Sequence, residues 1–130
     1  MKIFWHPVFV HFPIAFYFLE FLMLVFWMKK SDENYLHFAA VAFWLGYFFM
    51  LASLISGYVA AGGWGHIEGA TRRHFLMALS VFIFYSIRAV YWKTSDRASK
   101  GFCVVQIGGA VFGNILVGYT AYLGGILVYA

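Results

Sequence analysis

The chain has 130 residues, of which 64% are hydrophobic, 23% aromatic and only 11% charged, with a formal net charge of +4. A water-soluble domain carries roughly 25% charged residues to solvate its surface, so this composition excludes a soluble fold and requires lipid. At about 20 apolar residues per crossing, residues 1–130 hold four spans in a single domain and leave no room for a separate soluble one.

The first apolar segment runs from about Val8 to Met28 and ends at Lys29-Lys30. Lys2 is the one basic residue ahead of it and no A-x-A-like cleavage site precedes the charges, so the segment reads as an uncleaved anchor. Pro7 suits a helix start. Pro13 removes the hydrogen bond to the Phe9 carbonyl and is expected to kink or open the helix beside His11. The second segment, about Leu36 to Ala61, follows the polar stretch Lys29 to Asn34. Its Gly46, Ser53, Gly57 and Ala61 fall within about 80° of one another on a helix of roughly 100° per residue. A glycine-rich stretch, Gly62 to Gly69, leads to the third segment, about Phe75 to Trp92. After the loop Lys93 to Gly101 comes the fourth, about Phe102 to Val128, with a stripe of Gly109, Gly113, Thr120 and Gly124. Such stripes mark close helix packing in lipid, or they leave room for a flat cofactor.

Backbone groups in lipid must be satisfied within each segment, and these segments are too long and too uniformly apolar for barrel strands. Short loops make neighbours antiparallel, so the expectation is an all-α membrane protein, an up-and-down bundle of four transmembrane helices. No internal repeat is evident, and neither are the half-repeats or substrate-sized polar set of a transporter.

The basic residues set the orientation. Lys29, Lys30, Lys93, Arg97 and Lys100, with Arg88 nearby, outnumber Lys2, Arg72 and Arg73 at the opposite end. Positive-inside places the first and third loops in the cytoplasm and both termini in the periplasm of a bacterial inner membrane. Because these charges sit at span ends rather than on one face, nucleic acid is not a partner; membrane lipid is. Cys103 is the single cysteine, which excludes an internal disulfide and a CxxCH attachment of c-type haem.

Function has to come from the polar residues kept in or beside the spans. Of the five histidines, His6, His11, His66 and His74 fall at the expected periplasmic end, and His37 alone at the other, as a headgroup anchor. Ionisable groups at membrane depth are costly and tend to mark cofactor or proton sites. Neutral imidazole ligates haem iron, zinc and copper. The first and third spans run in the same direction, so His11 and His74, each near the outer end of its helix, are expected to meet a haem b from opposite sides as axial ligands. His6 and His66 lie nearer the headgroups as further candidates, and Arg72 and Arg73 are placed to pair with propionates or to anchor at the interface.

Glu20 is the one acid inside a span, roughly 13 Å along the helix from His11. It either relays protons, or serves a quinone site, or pairs with Arg88. If His11 and His74 share a depth, Arg88 lies about 7 Å deeper than Glu20, within reach of its side chain. Nine residues at roughly 100° each put Glu20 on the helix face opposite His11 unless Pro13 rotates the helix, which favours the structural pair.

The string His6-Pro7-Val8-Phe9-Val10-His11-Phe12-Pro13-Ile14-Ala15 resembles the opening signature of a bacterial four-span membrane family known as domain of unknown function 2231. The resemblance extends to Arg73-His74 and to Gly124-Gly125 near the end, so it covers nearly the whole chain; His66 is not part of it. It implies the four-span fold. Members resemble small b-type cytochromes and can be joined to redox domains, which implies electron transfer; with the chain ending just after Tyr129, a redox partner is expected to be a separate chain.

These readings converge on a membrane haem b protein carrying electrons between quinol and a periplasmic acceptor such as a cytochrome. It would be a subunit of a larger redox complex rather than a stand-alone enzyme, with quinone and a second copy of the chain as further candidate partners. The alternatives are a cofactor-free structural or assembly subunit, and a copper or zinc site built from His6, His11, His66 and His74.

Overall fold

The computed structural model describes residues 5–129; Lys2, one of the orientation charges, lies outside the described residues. Four long helices account for nearly all of it: α1 (Trp5–Lys30), α2 (Glu33–Ala60), α3 (Gly69–Thr94) and α4 (Lys100–Tyr129), with a single 3₁₀ turn at Trp64–His66 between α2 and α3. Each has 26 to 30 residues, about 39 to 45 Å at 1.5 Å per residue, enough to cross a hydrocarbon core of about 30 Å. All four are apolar enough to span a membrane. The chain is an all-α four-span membrane protein.

The helix ends follow local chemistry. Ser31 closes α1 in the left-handed region at φ 52°, its N–H donating to the Trp27 carbonyl, and the Asp32 carboxylate accepts from the Asn34 N–H at 2.9 Å to cap α2. Gly62 and Gly63, at φ 83° and 86°, turn the chain where an L side chain would be strained. Two features differ from expectation. α3 begins at Gly69, so Arg72, Arg73 and His74 lie within its first turns; the Glu68 carbonyl accepts from the Arg72 N–H and starts the ladder. α1 runs without interruption through Pro13, which is buried.

Each helix packs on its two neighbours in the ring order α1, α2, α3, α4, with the α1–α2 seam closest and α2–α3 loosest. α1 and α3 therefore face each other diagonally and meet through side chains. At mid-height the Tyr17 and Tyr85 rings stack, centroids 3.7 Å apart, with Phe43 beside both. One turn further on, Glu20 and Arg88 form a bidentate ion pair with both N–O distances at 2.8 Å. Phe102, packed on Trp27 and Trp92, closes the far end. Outside this column the surface is a continuous apolar coat, Phe18, Phe48, Ile87 and Val104 among it, facing lipid.

Glycines on α2 and α4 admit the large rings of α1 and α3. A Cβ built on Gly46 would sit 2.8 Å from Tyr17 Cε1, and one on Gly113 2.7 Å from Tyr85 Cζ. Gly46→Ala must therefore displace a ring already stacked on Tyr85. The expected loss is about 1–3 kcal/mol, as for other overpacked cores, read as a lower thermal midpoint in detergent; Gly118→Ala, in open space, should show none.

The packing reveals an internal repeat that the sequence pattern hides. His6 and His74, Tyr17 and Tyr85, and Glu20 and Arg88 are each 68 residues apart. On the partner helices Gly46 and Gly113, Ser53 and Thr120, and Gly57 and Gly124 keep an offset one residue shorter. The inward positions of the α1–α2 and α3–α4 hairpins thus repeat, while the two hairpins pack unequally, α1–α2 the closer. Only inward positions keep the repeat, while the lipid-facing residues are interchangeably apolar, so one helical pattern looks like any other.

Candidate functional site

The inward face of α1 holds His6, Pro13, Tyr17, Glu20 and Leu24, all within about 60° of one another at roughly 100° per residue. The inward face of α3 holds His74, Val81, Tyr85, Arg88 and Trp92 in the same phase. At the end of the bundle that carries the 3₁₀ turn, the half-buried His6 and His74 face each other across the diagonal, ring centroids 6.4 Å apart and planes at 76°.

Each ring is held by a neighbouring helix. His6 Nδ1 lies 3.0 Å from the Ser53 carbonyl of α2 and 3.1 Å from Ser56 Oγ; His74 Nδ1 lies 3.1 Å from the Thr120 carbonyl of α4. A carbonyl only accepts, so in both rings Nδ1 carries the proton and the lone pair of the neutral imidazole is on Nε2. Binding the far nitrogen to a carbonyl is how proteins orient metal-ligating histidines. Glycines floor both rings: a Cβ on Gly57 would stand 2.8 Å from His6 Cε1, and one on Gly124 3.0 Å from His74 Cε1.

Both histidines border two spaces. The outer one, about 270 Å³, is lined by small groups including Gly57, Ala60, Ala61, Ala78 and Gly124. The inner one, about 80 Å³, reaches down to Tyr17 and Met50. Polar groups are few in both linings, so the imidazole nitrogens are the chemically distinctive atoms there.

The other candidate residues fall elsewhere. His11 does not meet His74: it is exposed on the outer face of α1, its Nδ1 bonded to the Pro7 carbonyl, because it lies about 140° around the helix from His6. His66 is exposed on the 3₁₀ turn, bonded to the Gly62 carbonyl, and His37 is exposed on α2. Arg72 and Arg73 are exposed at the rim and line neither space. Among the described residues no three His, Cys, Asp or Glu side chains gather into a metal-holding cluster, so the four-histidine copper or zinc site is not formed. His6 replaces His11 as the partner of His74, and the signal was in helical phase: His6, not His11, shares the face of Glu20.

Glu20 and Arg88 sit lower and are closed off. The carboxylate, fully buried, accepts from both Arg88 nitrogens and from Trp92 Nε1 at 3.2 Å. Arg88 also donates to Gln106 Oε1 at 2.9 Å and lies over the Phe43 and Tyr85 rings at 5.2 and 5.5 Å. Because His6 and His74 share a level, Glu20 and Arg88 do too, and the depth offset expected from His11 disappears. With every carboxylate oxygen engaged, this arrangement is a structural pair.

A family model described as "Predicted membrane protein (DUF2231)" matches residues 3–130. No curated protein and no solved structure matches the chain.

Proposed function

We propose that the chain, which belongs to the DUF2231 family of membrane proteins, holds a haem b between His6 and His74. It would carry electrons between membrane quinol and a periplasmic acceptor as a subunit of a larger redox assembly. The facing imidazole pair carries this reading. Two imidazoles sharing one metal at roughly 2.0 Å per bond have ring centroids about 6 Å apart, and here they are 6.4 Å apart with Nε2 free on both. Two histidines suit an iron whose other four ligands come from a tetrapyrrole; they are too few for a structural zinc, which takes four protein ligands.

The chain's own groups would do the rest. The Ser53 and Thr120 carbonyls fix the rings, Gly57 and Gly124 leave them room, and the apolar lining keeps water from the metal. Bound iron supplies one-electron chemistry, tuned by its axial ligands and by burial. The outer space is slightly below the roughly 300–1,000 Å³ of ordinary ligand pockets and smaller than a whole tetrapyrrole. A bound ring therefore extends past the bundle edge, most easily at the loose α2–α3 seam. The expected result is a six-coordinate low-spin absorption spectrum, oxidised and reduced, from protein purified after expression with ample haem. A colourless product sinks the reading and favours a cofactor-free structural subunit.

Orientation completes the proposal. Arg88 is spent on Glu20 inside the bundle, so Lys29, Lys30, Lys93, Arg97 and Lys100 carry the positive-inside signal against Lys2, Arg72 and Arg73. This puts the histidine end at the periplasmic face of a bacterial inner membrane. A periplasm-active reporter fused after Ala130 should be active and a cytoplasm-active one silent; the reverse result moves the site to the inner face.

A further inference from the structure

The repeated positions around the two histidines are filled unequally. His6 Nδ1 meets two acceptors on α2, the Ser53 carbonyl at 3.0 Å and Ser56 Oγ at 3.1 Å, and the Ser56 hydroxyl in turn donates to that same carbonyl. Among the described residues His74 Nδ1 meets the Thr120 carbonyl alone, because Leu123 stands where the repeat would put the second hydroxyl. The α1–α2 seam that carries His6 is also closer than the α3–α4 seam that carries His74. Bonds to the far nitrogen orient a metal-ligating imidazole and strengthen it as a ligand, so His74 is the less firmly held of the two.

The inner space is unequal in the same sense. It is lined by Val10 and Leu54 from the first hairpin and by their counterparts Ala78 and Ala121 from the second, so the smaller side chains belong to the hairpin that carries His74. Its volume, about 80 Å³, is several times the roughly 10–15 Å³ that one water-sized molecule needs. It suits water poorly. The Ser53 and Thr120 hydroxyls on its wall donate to the Phe49 and Leu116 carbonyls, both at 2.8 Å, and the Tyr17 hydroxyl donates to Met50 Sδ, whereas a buried water takes about 2 to 4 polar partners. A small neutral diatomic with a lone pair and an acceptor orbital, the class of carbon monoxide, nitric oxide and dioxygen, reaches such a space through lipid and needs no hydrogen-bond partner to stay.

We infer that His74 is the exchangeable axial ligand, and that the inner space beside it is a binding site for a small neutral diatomic that takes its place on the iron. The inference rests on the haem reading and adds a second activity to electron carriage, the capture of a dissolved gas. With carbon monoxide, the bond between iron and His74 Nε2 breaks with its electron pair left on nitrogen, and the diatomic supplies the pair for the new bond. No net electron or proton is transferred: the freed imidazole keeps its Nδ1 proton on the Thr120 carbonyl, and His6 stays bound on the tighter hairpin.

The test is a titration of the full chain, loaded with haem and reduced, with carbon monoxide. The six-coordinate ferrous spectrum should convert to a carbon-monoxide spectrum. His74→Gly should bind the gas faster and give the same iron–carbon stretching frequency as the unaltered chain, since both keep His6 opposite the gas; His6→Gly should give a different one. Ala121→Leu, which copies Leu54 into the inner space, should weaken binding by about tenfold or more while the ferrous spectrum without gas stays six-coordinate. Ala121→Val, a smaller filling, should act in the same direction if the leucine variant does not hold haem. Gly125→Ala, in open space, should bind as the unaltered chain does. Protein that takes up no haem overturns the haem reading and the inference together. Haem that binds no carbon monoxide, binds it equally well in both Ala121 variants, or shares its stretching frequency with His6→Gly instead of His74→Gly overturns the inference alone.

Discussion

Arg88→Ala is expected to be the most destabilising single substitution in the bundle, costing about 3–5 kcal/mol, as breaking a buried ion pair does elsewhere. Glu20 is fully buried, and the guanidinium supplies two of its three hydrogen bonds; removal leaves the carboxyl with the Trp92 N–H alone. Glu20→Ala should cost a similar amount, because Arg88 would keep only Gln106 and the two aromatic faces. The exchanged variant, Glu20→Arg with Arg88→Glu, separates pairing from position. Because positions 20 and 88 share a level, the swapped pair meets again there, and Gln106, whose Nε2 has no partner in the native arrangement, can donate to the new carboxylate. Trp92 Nε1 would then face a cation, so rescue should be partial. Thermal unfolding in detergent of the two single variants and the exchange decides this: an exchange no better than the worse single variant means that position, not pairing, holds the layer. A proton-relay role for Glu20 makes a different prediction, loss of proton-coupled activity with stability intact, and the closed hydrogen bonding speaks against it.

Much of this was legible in the residues. The four spans followed from the apolar runs, and the Glu20–Arg88 pair from the cost of leaving either charge unpartnered in lipid. The facing of His6 and His74 is harder to see, because depth alone favours His11 whereas helical phase puts His6 on the inward face. His11 lies deeper, beside Pro13, yet Glu20 marks the inward face, and His11 lies about 180° from it while His6 lies about 40° away. The repeat escaped for a different reason. Its equivalent positions exchange Glu for Arg, Ser for Thr and Met50 for Val117, so identity is lost where function and packing require it. The room around the histidines depends on which glycine faces which ring, and that is fixed only when α1 meets α2 and α3 meets α4.

His6→Ala and His74→Ala are each expected to abolish the six-coordinate spectrum, while His11→Ala and His66→Ala leave it intact. Depth and rigidity argue for the first pair. Both rings project from helices into the space they share, and ligands on helices are held more precisely than ligands on loops; His66 rides on the 3₁₀ turn and His11 faces outward. Loss of colour could also follow from misfolding, so each alanine variant is matched by His6→Gly or His74→Gly with imidazole added in solution. Gly57 and Gly124 leave room for the native ring itself, so free imidazole can take the vacated position and restore the spectrum in a folded protein. Rescue at both positions supports a single haem between α1 and α3. If His11→Ala removed the spectrum and His6→Ala did not, the pairing seen in the structure would not be the ligand pair, and α1 would have to turn by about 140° to deliver His11 to the axis, taking Glu20 away from Arg88. That coupling is itself measurable: a haem that needs His11 should bind only as the Glu20–Arg88 layer comes apart, lowering stability on loading. A haem held by His6 and His74 should raise stability, because a ligand that binds only the folded state stabilises it.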